Sequence, residues 1–297
     1  MKPVIVSLYS FKGGAGRTVC TANLAPRLAA LFHSTAKSPL VLVDLDLDSA
    51  GLTFLLEENA NTREDAWSAS MLLTGELSLT LLAKRRQLFD KELQDVSTEL
   101  KLGSEGKVLF LRAGAMEKQI GASVGARGLI FLETLIDSCE ERDVPVLLID
   151  SASGLQQTAV LSHKVSDVVV YCCRLTRQFV RGTKQHLELM LRRCAEDRTE
   201  PPKILLLPVA VPQASPRWAD MRTHVLTQLR TICAALPSQV QMASAIIGEI
   251  ERFKWTEDIL QDDTNAPPPT DEAEAILAFQ ALAEQVHRLA SSSTQDN

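Results

Sequence analysis

Apolar and polar positions alternate along this chain on two scales. Short, continuously apolar runs recur at Val4–Tyr9, Leu40–Val43, Val108–Leu111, Val146–Ile149, Val168–Cys172 and Ile204–Leu207. Each predicts a strand buried on both faces. Between them lie longer stretches with helical spacing. These predict helices over Arg17–Phe32, Leu129–Cys139, Phe179–Ala195 and Trp218–Ala235, with shorter ones at Leu52–Leu56, Trp67–Leu73 and Leu77–Leu88. A last short strand is expected at Ala245–Ile247. Pro26 sits inside the first helix, where a missing N–H predicts a kink or a local adjustment. Strands alternate with helices throughout and no internal repeat is visible. The expected architecture is therefore α/β, with a mostly parallel sheet covered by helices on both faces.

Near the C-terminus the pattern breaks. Residues 261–271 contain Pro267-Pro268-Pro269 among acidic residues and are expected to be a linker. Residues 272–290 have amphipathic helical spacing, and 291–297 form a polar tail expected to be disordered. The polar face of the last helix carries Glu272, Glu274 and Glu284. That is the wrong sign for an anionic membrane surface, so packing on the main domain is expected.

Composition narrows the class. The chain has 297 residues, 45% hydrophobic and 23% charged, as in ordinary globular proteins. Aromatic residues are only 5%, so the core must be built from Leu, Val, Ile and Ala. The net charge of -6 argues against a protein that coats nucleic acid over its whole surface. A local basic patch involving Lys84-Arg85-Arg86, Arg174, Arg177, Arg181, Lys184, Arg192 and Arg193 leaves DNA as a partner of lower rank. A solvated helix face is the simpler reading of that patch. No apolar run reaches the length of a membrane span, and the short apolar run at Val4–Tyr9, which leads straight into a motif, is not expected to be a signal peptide. The six cysteines form no C-x-x-C pair and sit in apolar or helical segments. Reduced thiols and a cytoplasmic location are expected.

The chemistry concentrates at the ends of the strands. Between the first strand and helix runs Ser10-Phe11-Lys12-Gly13-Gly14-Ala15-Gly16-Arg17-Thr18. Glycines let the backbone turn tightly and aim several N–H groups at one anion, and the following helix adds its positive end. Thr18 supplies a hydroxyl suited to Mg. The common phosphate-loop pattern G-x-x-x-x-G-K-[ST] fails at two places, because Phe11 stands at its first Gly and Arg17 at its Lys. Two acidic segments follow later strands: Asp44-Leu45-Asp46-Leu47-Asp48 and Asp150-Ser151-Ala152-Ser153-Gly154. Carboxylates at the C-terminal ends of parallel strands face the ligand crevice of an open α/β sheet. There they can hold Mg or orient an attacking water. Each aspartate alone could instead be a helix cap.

Lys12-Gly13-Gly14-Ala15-Gly16-Arg17-Thr18 resembles the deviant Walker A motif K-G-G-x-G-K-[ST] of the ParA/MinD family of P-loop ATPases. The likeness continues through Thr21-Ala22-Asn23-Leu24-Ala25, Asp44-x-Asp46 and Asp150-x-x-x-Gly154. It is most similar to a branch that carries Arg in place of the loop Lys, with Asp44 through Gly51-Leu52 matching that branch's D-x-D-x-E-x-x-G-L segment. Weaker echoes reach about residue 260, so 1–260 is the expected ATPase domain.

The resemblance implies an eight-stranded, mostly parallel sheet, ATP and Mg²⁺ as cofactors, and a homodimer that closes around ATP and is read by a partner protein. By position it makes Lys12 the signature lysine that reaches the partner's phosphates. Gly13, Gly14, Ala15, Gly16 and Arg17 become the phosphate-binding loop, and Thr18, Asp44 and Asp150 the groups at or near Mg. Asp46 positions the hydrolytic water and Gly154 is the switch glycine. Because Arg17 departs from the pattern, a nucleotide-binding scaffold with little or no hydrolysis is the alternative. The adenine-contacting Asn usual in the family is not evident near Leu207-Pro208-Val209. A tyrosine kinase of this superfamily would need a Tyr-rich tail, and an Fe–S reductase suitably placed cysteines. This chain has neither.

Overall fold

The computed structural model describes residues 1–57, 68–74, 93–103, 106–114, 124–196, 200–212, 216–254, 258–260 and 268–293. One eight-stranded sheet runs through them in the order β3-β4-β2-β5-β1-β6-β7-β8. The strands are β1 (Val4–Tyr9), β2 (Leu40–Asp44), β3 (Gln94–Asp95), β4 (Val108–Leu111), β5 (Val146–Asp150), β6 (Val168–Arg174), β7 (Lys203–Val209) and β8 (Val240–Met242). All pairings are parallel except β3 with β4 at one edge.

Helices occupy both faces: α1 (Arg17–Leu31), α2 (Gly51–Glu57), α3 (Ala69–Thr74), α4 (Val124–Glu141), α5 (Gln157–Val165), α6 (Arg177–Glu196), α7 (Pro216–Ala234) and α8 (Thr270–Ser293). Alternate strand residues feed two separate cores. Leu40, Leu42, Val146 and Leu148 enter one, while Val41, Val43, Leu147 and Ile149 enter the other. Burial on both faces is why these strands are apolar at every position.

Helix α1 is buried along most of its length because it lies between the sheet and α8. Across that second contact the Arg27 guanidinium sits 5.6 Å from the Phe279 ring centre, and Phe32 meets His287 edge-on at 4.6 Å. Asn23 ties residues 258–260 to α1. Its Oδ1 accepts from the Leu260 N–H at 2.8 Å and its Nδ2 donates to the Asp258 carbonyl at 3.0 Å. The helix continues through Pro26 without interruption.

Several expectations change. The last strand is Val240–Met242, not Ala245–Ile247. It pairs with Ile204–Leu206, but its centre is the polar Gln241, so no apolar run marks it. Ile247 instead donates to the Pro208 carbonyl at 2.9 Å, beyond the regular ladder. Helix α5 was not anticipated, because it is nine residues long and buries Ser162 and His163 along with its apolar side chains. Helix α7 begins at Pro216 rather than Trp218, and proline suits the first helical position. Helix α8 extends to Ser293, three residues into the expected tail. The expected helix Leu77–Leu88, with its basic run Lys84-Arg85-Arg86, lies outside the described residues, as does 261–267 of the expected linker. No helix among the described residues is long and apolar enough to cross a membrane.

Candidate functional site

Strands β1, β2 and β5 are adjacent in the sheet and parallel, so their C-terminal ends deliver the glycine loop, Asp44 and Asp150 to one place. Asp44 and Asp150 are direct partners in the register. A cleft of about 380 Å³ opens there, lined by Gly13 to Val19 on one side and by Asp46, Asp48, Gly51, Ser153 and Gln156 on the others. That volume falls within the usual range for small-molecule sites.

The loop has the geometry of an anion cradle. Gly14 and Gly16 hold left-handed φ values of 74° and 77°, which a side chain would strain. A Cβ on Gly13 or Gly14 would meet nothing within 4 Å, so the cradle is open above them. Gly16 caps α1 with no side-chain hydrogen bond. The first-turn N–H groups therefore remain available to a ligand. Lys12 is exposed and does not line this cleft.

Arg17 is used differently from a loop lysine. It is buried, and its guanidinium ion-pairs with Asp46 through Nη2 and with Asp150 through Nε at 3.3 Å. Nη1 donates to Ser10 Oγ at 3.2 Å, and Ser10 Oγ donates to the Lys12 carbonyl at 2.9 Å. Thr18 Oγ1 donates to the other oxygen of Asp150 at 2.9 Å. Burial works against the Arg17 charge, but Asp150 and Asp46 beside it hold its pKa above the ordinary value.

The three aspartates are not equivalent. Burial, and then the neighbouring Asp150, raise Asp44 to about 8. Its oxygens accept from the Asp46 N–H at 3.0 Å, the Thr53 N–H at 2.9 Å and the Thr53 hydroxyl at 2.8 Å. Asp44 thereby shapes the turn that carries Asp46. Burial also raises Asp150, while Arg17 and Thr18 pull it back down. For Mg²⁺, the hydroxyl of Thr18 and the carboxylate of Asp150 form a pair of hard oxygens that fits a site completed by phosphate and water. Among the described residues no three His, Cys, Asp or Glu side chains form a metal cage by themselves.

Gly154 closes the far side. Its φ of 68° is left-handed, and its N–H donates to the Ser10 carbonyl at 3.1 Å. Its own carbonyl accepts from the Tyr9 hydroxyl, which also lies 3.0 Å from His186 Nδ1. The sequence pattern did not single out Ser10, Tyr9 or Gln156. Gln156 Nε2 donates to Asp48 at 2.9 Å across the cleft. The signal for Ser10 was its place just ahead of the glycines. For Tyr9 it was a lone phenol ending a mostly aliphatic strand.

Behind the loop, Tyr9 packs edge-on against His163 at 4.2 Å. Burial lowers His163 to about 3, with a smaller push from His186. The folded chain therefore keeps this imidazole neutral between pH 6.5 and about 3, where the unfolded chain takes a proton. Stability linked to His163 is complete above pH 6.5 and is lost as pH falls through that window, at up to about 1.4 kcal/mol per pH unit. Urea titrations from pH 7 to pH 4 should show this slope in the wild type and a flatter one in His163→Phe.

The basic residues Arg174, Arg177, Arg181, Lys184, Arg192 and Arg193 are exposed at the end of β6 and on α6. Lys184 lies 3.8 Å from Glu188 in an i,i+4 pair. All six cysteines are free thiols.

No family model and no curated protein matches this sequence. The fold, however, matches solved structures over nearly the whole chain. An ATP complex of a McdA variant from Cyanothece superposes with a TM-score of 0.63 at 13% identity, covering 98% of this chain and 97% of that one. The cell division ATPase MinD of Pyrococcus furiosus gives 0.63 at 20% identity, covering 97% and 100%. The septum site-determining protein MinD of Pyrococcus horikoshii, complexed with Mg-ADP, gives 0.62 at 19%, covering 97% of each. The architecture matches that of these McdA and MinD structures, and at these identities the likeness establishes fold.

Proposed function

We propose that this chain is a Mg-dependent ATP-binding and ATP-hydrolysing switch that dimerises around ATP and signals to a partner protein. The observation that carries this reading is the single cleft that unites a left-handed glycine loop at a helix N-terminus with Thr18, Asp46 and Asp150. Solved proteins of the same fold hold ATP or Mg-ADP.

The backbone N–H groups of Gly13 to Thr18 bind the phosphates. Thr18 and Asp150 hold the metal, which supplies positive charge to the phosphate oxygens when bound. Asp46 orients the attacking water. Asp44 supports that turn from behind, through its bonds to Thr53 and the Asp46 amide. Lys12, exposed and outside its own cleft, is free to reach the phosphates of a second subunit. Gly154 reports the γ-phosphate by exchanging its bond to Ser10. Chemistry of this kind is positioning plus charge stabilisation, so modest turnover is expected.

A second reading has its own observation. Arg17 is bound to Asp46 and Asp150, the two carboxylates that hydrolysis requires. If nucleotide entry leaves that pairing intact, the protein is a nucleotide-binding scaffold with little hydrolysis. Turnover measured on the wild type and Asp46→Ala separates the two. A wild-type rate clearly above the variant supports the switch, and equal background rates support the scaffold. Light scattering tests dimerisation. ATP with Mg²⁺ should double the mass of the wild type and leave Lys12→Ala monomeric. A Lys12→Ala dimer of unchanged strength would remove that lysine from the interface.

A further inference from the structure

Gly154 stands between two neighbourhoods. Ser153, just before it, lines the nucleotide cleft. Gly154 itself borders the space behind, together with Tyr9 and His186. Its two peptide groups are held separately. The N–H, shared with Ser153, donates to the Ser10 carbonyl at 3.1 Å. The carbonyl, shared with Leu155, accepts from the Tyr9 hydroxyl. Only the φ and ψ bonds of Gly154 separate the two planes. With no side chain, and a left-handed φ of 68°, this residue can rotate about them more freely than any other type could.

The Tyr9 hydroxyl is fixed in its turn. A carbonyl has no proton to give, so the single phenolic proton lies on the Gly154 oxygen. His186 Nδ1, 3.0 Å from the same hydroxyl, must then donate to the phenol oxygen. That places a proton of the imidazole on Nδ1. The Tyr9 ring is buried, edge-on to His163 at 4.2 Å and to Tyr171 at 4.8 Å. The His186 ring is set against Phe11, edge-on at 4.8 Å. Tyr9 does not line the nucleotide cleft, so whatever it does there it does through Gly154.

We infer that Tyr9, oriented by His186, is a positioning residue that lets the site distinguish a nucleoside triphosphate from a diphosphate, an inference that rests on the nucleotide reading above. The physical reason is a pivot. For the Gly154 N–H to leave Ser10 and meet a γ-phosphate, its peptide plane must turn. While Tyr9 pins the next plane, the turn is confined to the bonds of Gly154. Without the pin, the turn spreads into Leu155, Gln156 and the start of α5. That looser segment loses more conformational freedom when a triphosphate orders it, so the triphosphate binds more weakly. A diphosphate leaves the N–H on Ser10 and does not use the pivot.

The test titrates the full chain, in a calorimeter with Mg²⁺, with ADP and with a non-hydrolysable ATP analogue. Tyr9→Phe keeps the ring and removes the hydroxyl. It should weaken the analogue about fivefold, the effect of one buried hydrogen bond, and ADP by less than about twofold. His186→Leu removes the donor and should move the ratio of the two affinities in the same direction. His186→Asn, whose side-chain amide can replace Nδ1–H, should keep the wild-type ratio. A general packing defect weakens both nucleotides together, so equal losses in Tyr9→Phe, or an unchanged ratio, overturn the inference. Circular dichroism checks folding, and should Tyr9→Phe fail to fold, the two His186 variants supply the same comparison. Amide exchange over 153–156 is read in parallel on the nucleotide-free chain. Faster exchange in Tyr9→Phe and His186→Leu than in the wild type and His186→Asn supports the anchor, and unchanged exchange overturns it. If the wild type binds neither nucleotide, the nucleotide reading fails, while the exchange measurement still decides whether Tyr9 holds Gly154.

Discussion

Arg17→Met should lower stability by about 3–5 kcal/mol at neutral pH, the cost of leaving buried carboxylates without their cation. For a chain of this size the melting temperature should fall by on the order of 10 °C. The reason is local. Asp44, Asp46 and Asp150 meet at the ends of two adjacent strands, and Arg17 is the buried cation that pairs with two of them. Two further measurements distinguish this from loss of packing alone. Lowering the pH towards about 4 should shrink the deficit, because protonated carboxyls no longer need a counter-charge. Magnesium without nucleotide should raise the melting temperature of Arg17→Met more than that of the wild type, because the variant's carboxylates are left to bind it. Adding Asp46→Asn should recover part of the loss, since the two residues interact directly. A variant as stable as the wild type at pH 7 would show that the pairing does not hold the site together.

Gly182→Ala is the second large effect, and it acts from a helix well outside the glycine loop in sequence. A Cβ at Gly182 would lie on the Phe11 ring, 2.6 Å from Cζ and closer to two other ring carbons. Phe11 also meets His186 edge-on at 4.8 Å and Phe179 at 6.4 Å, so its ring has little space to retreat into. The substitution should destabilise the fold by about 1–3 kcal/mol. It should also weaken nucleotide binding, because Phe11 directly precedes Lys12 and the cradle. Phe11→Ala in the same chain should recover more than half of the stability lost. Strictly additive losses in the double variant would mean that the two residues are not in contact in solution.

These two sites illustrate different limits of sequence reading. Phe11 was visible as a departure from the phosphate-loop pattern, in which a glycine stands at that position. Its compensation was not visible, because Gly182 is distant in sequence and sits inside an ordinary amphipathic helix. Arg17 was likewise visible as a departure. A phosphate-binding role was expected for it from the resemblance, and the fold brings Asp150 and Asp46 to its guanidinium. Asp44 was expected near the metal from the resemblance, and its bonds to Thr53 and the Asp46 amide were not legible in the sequence.

The amino-acid order alone determined the strands that are buried on both faces, the glycine turn ahead of the first helix, and the aspartates that end β2 and β5. All of these follow from short-range periodicity and backbone sterics, which act over a few residues. Only the tertiary structure decided the strand order, the two-residue β3 and the polar-centred β8, the packing of Tyr9 on His163, and the partners of Arg17. Those depend on which segments meet across the sheet. Such meetings are set by the sum of many weak packing and charge interactions between residues far apart in the chain, which no local pattern encodes.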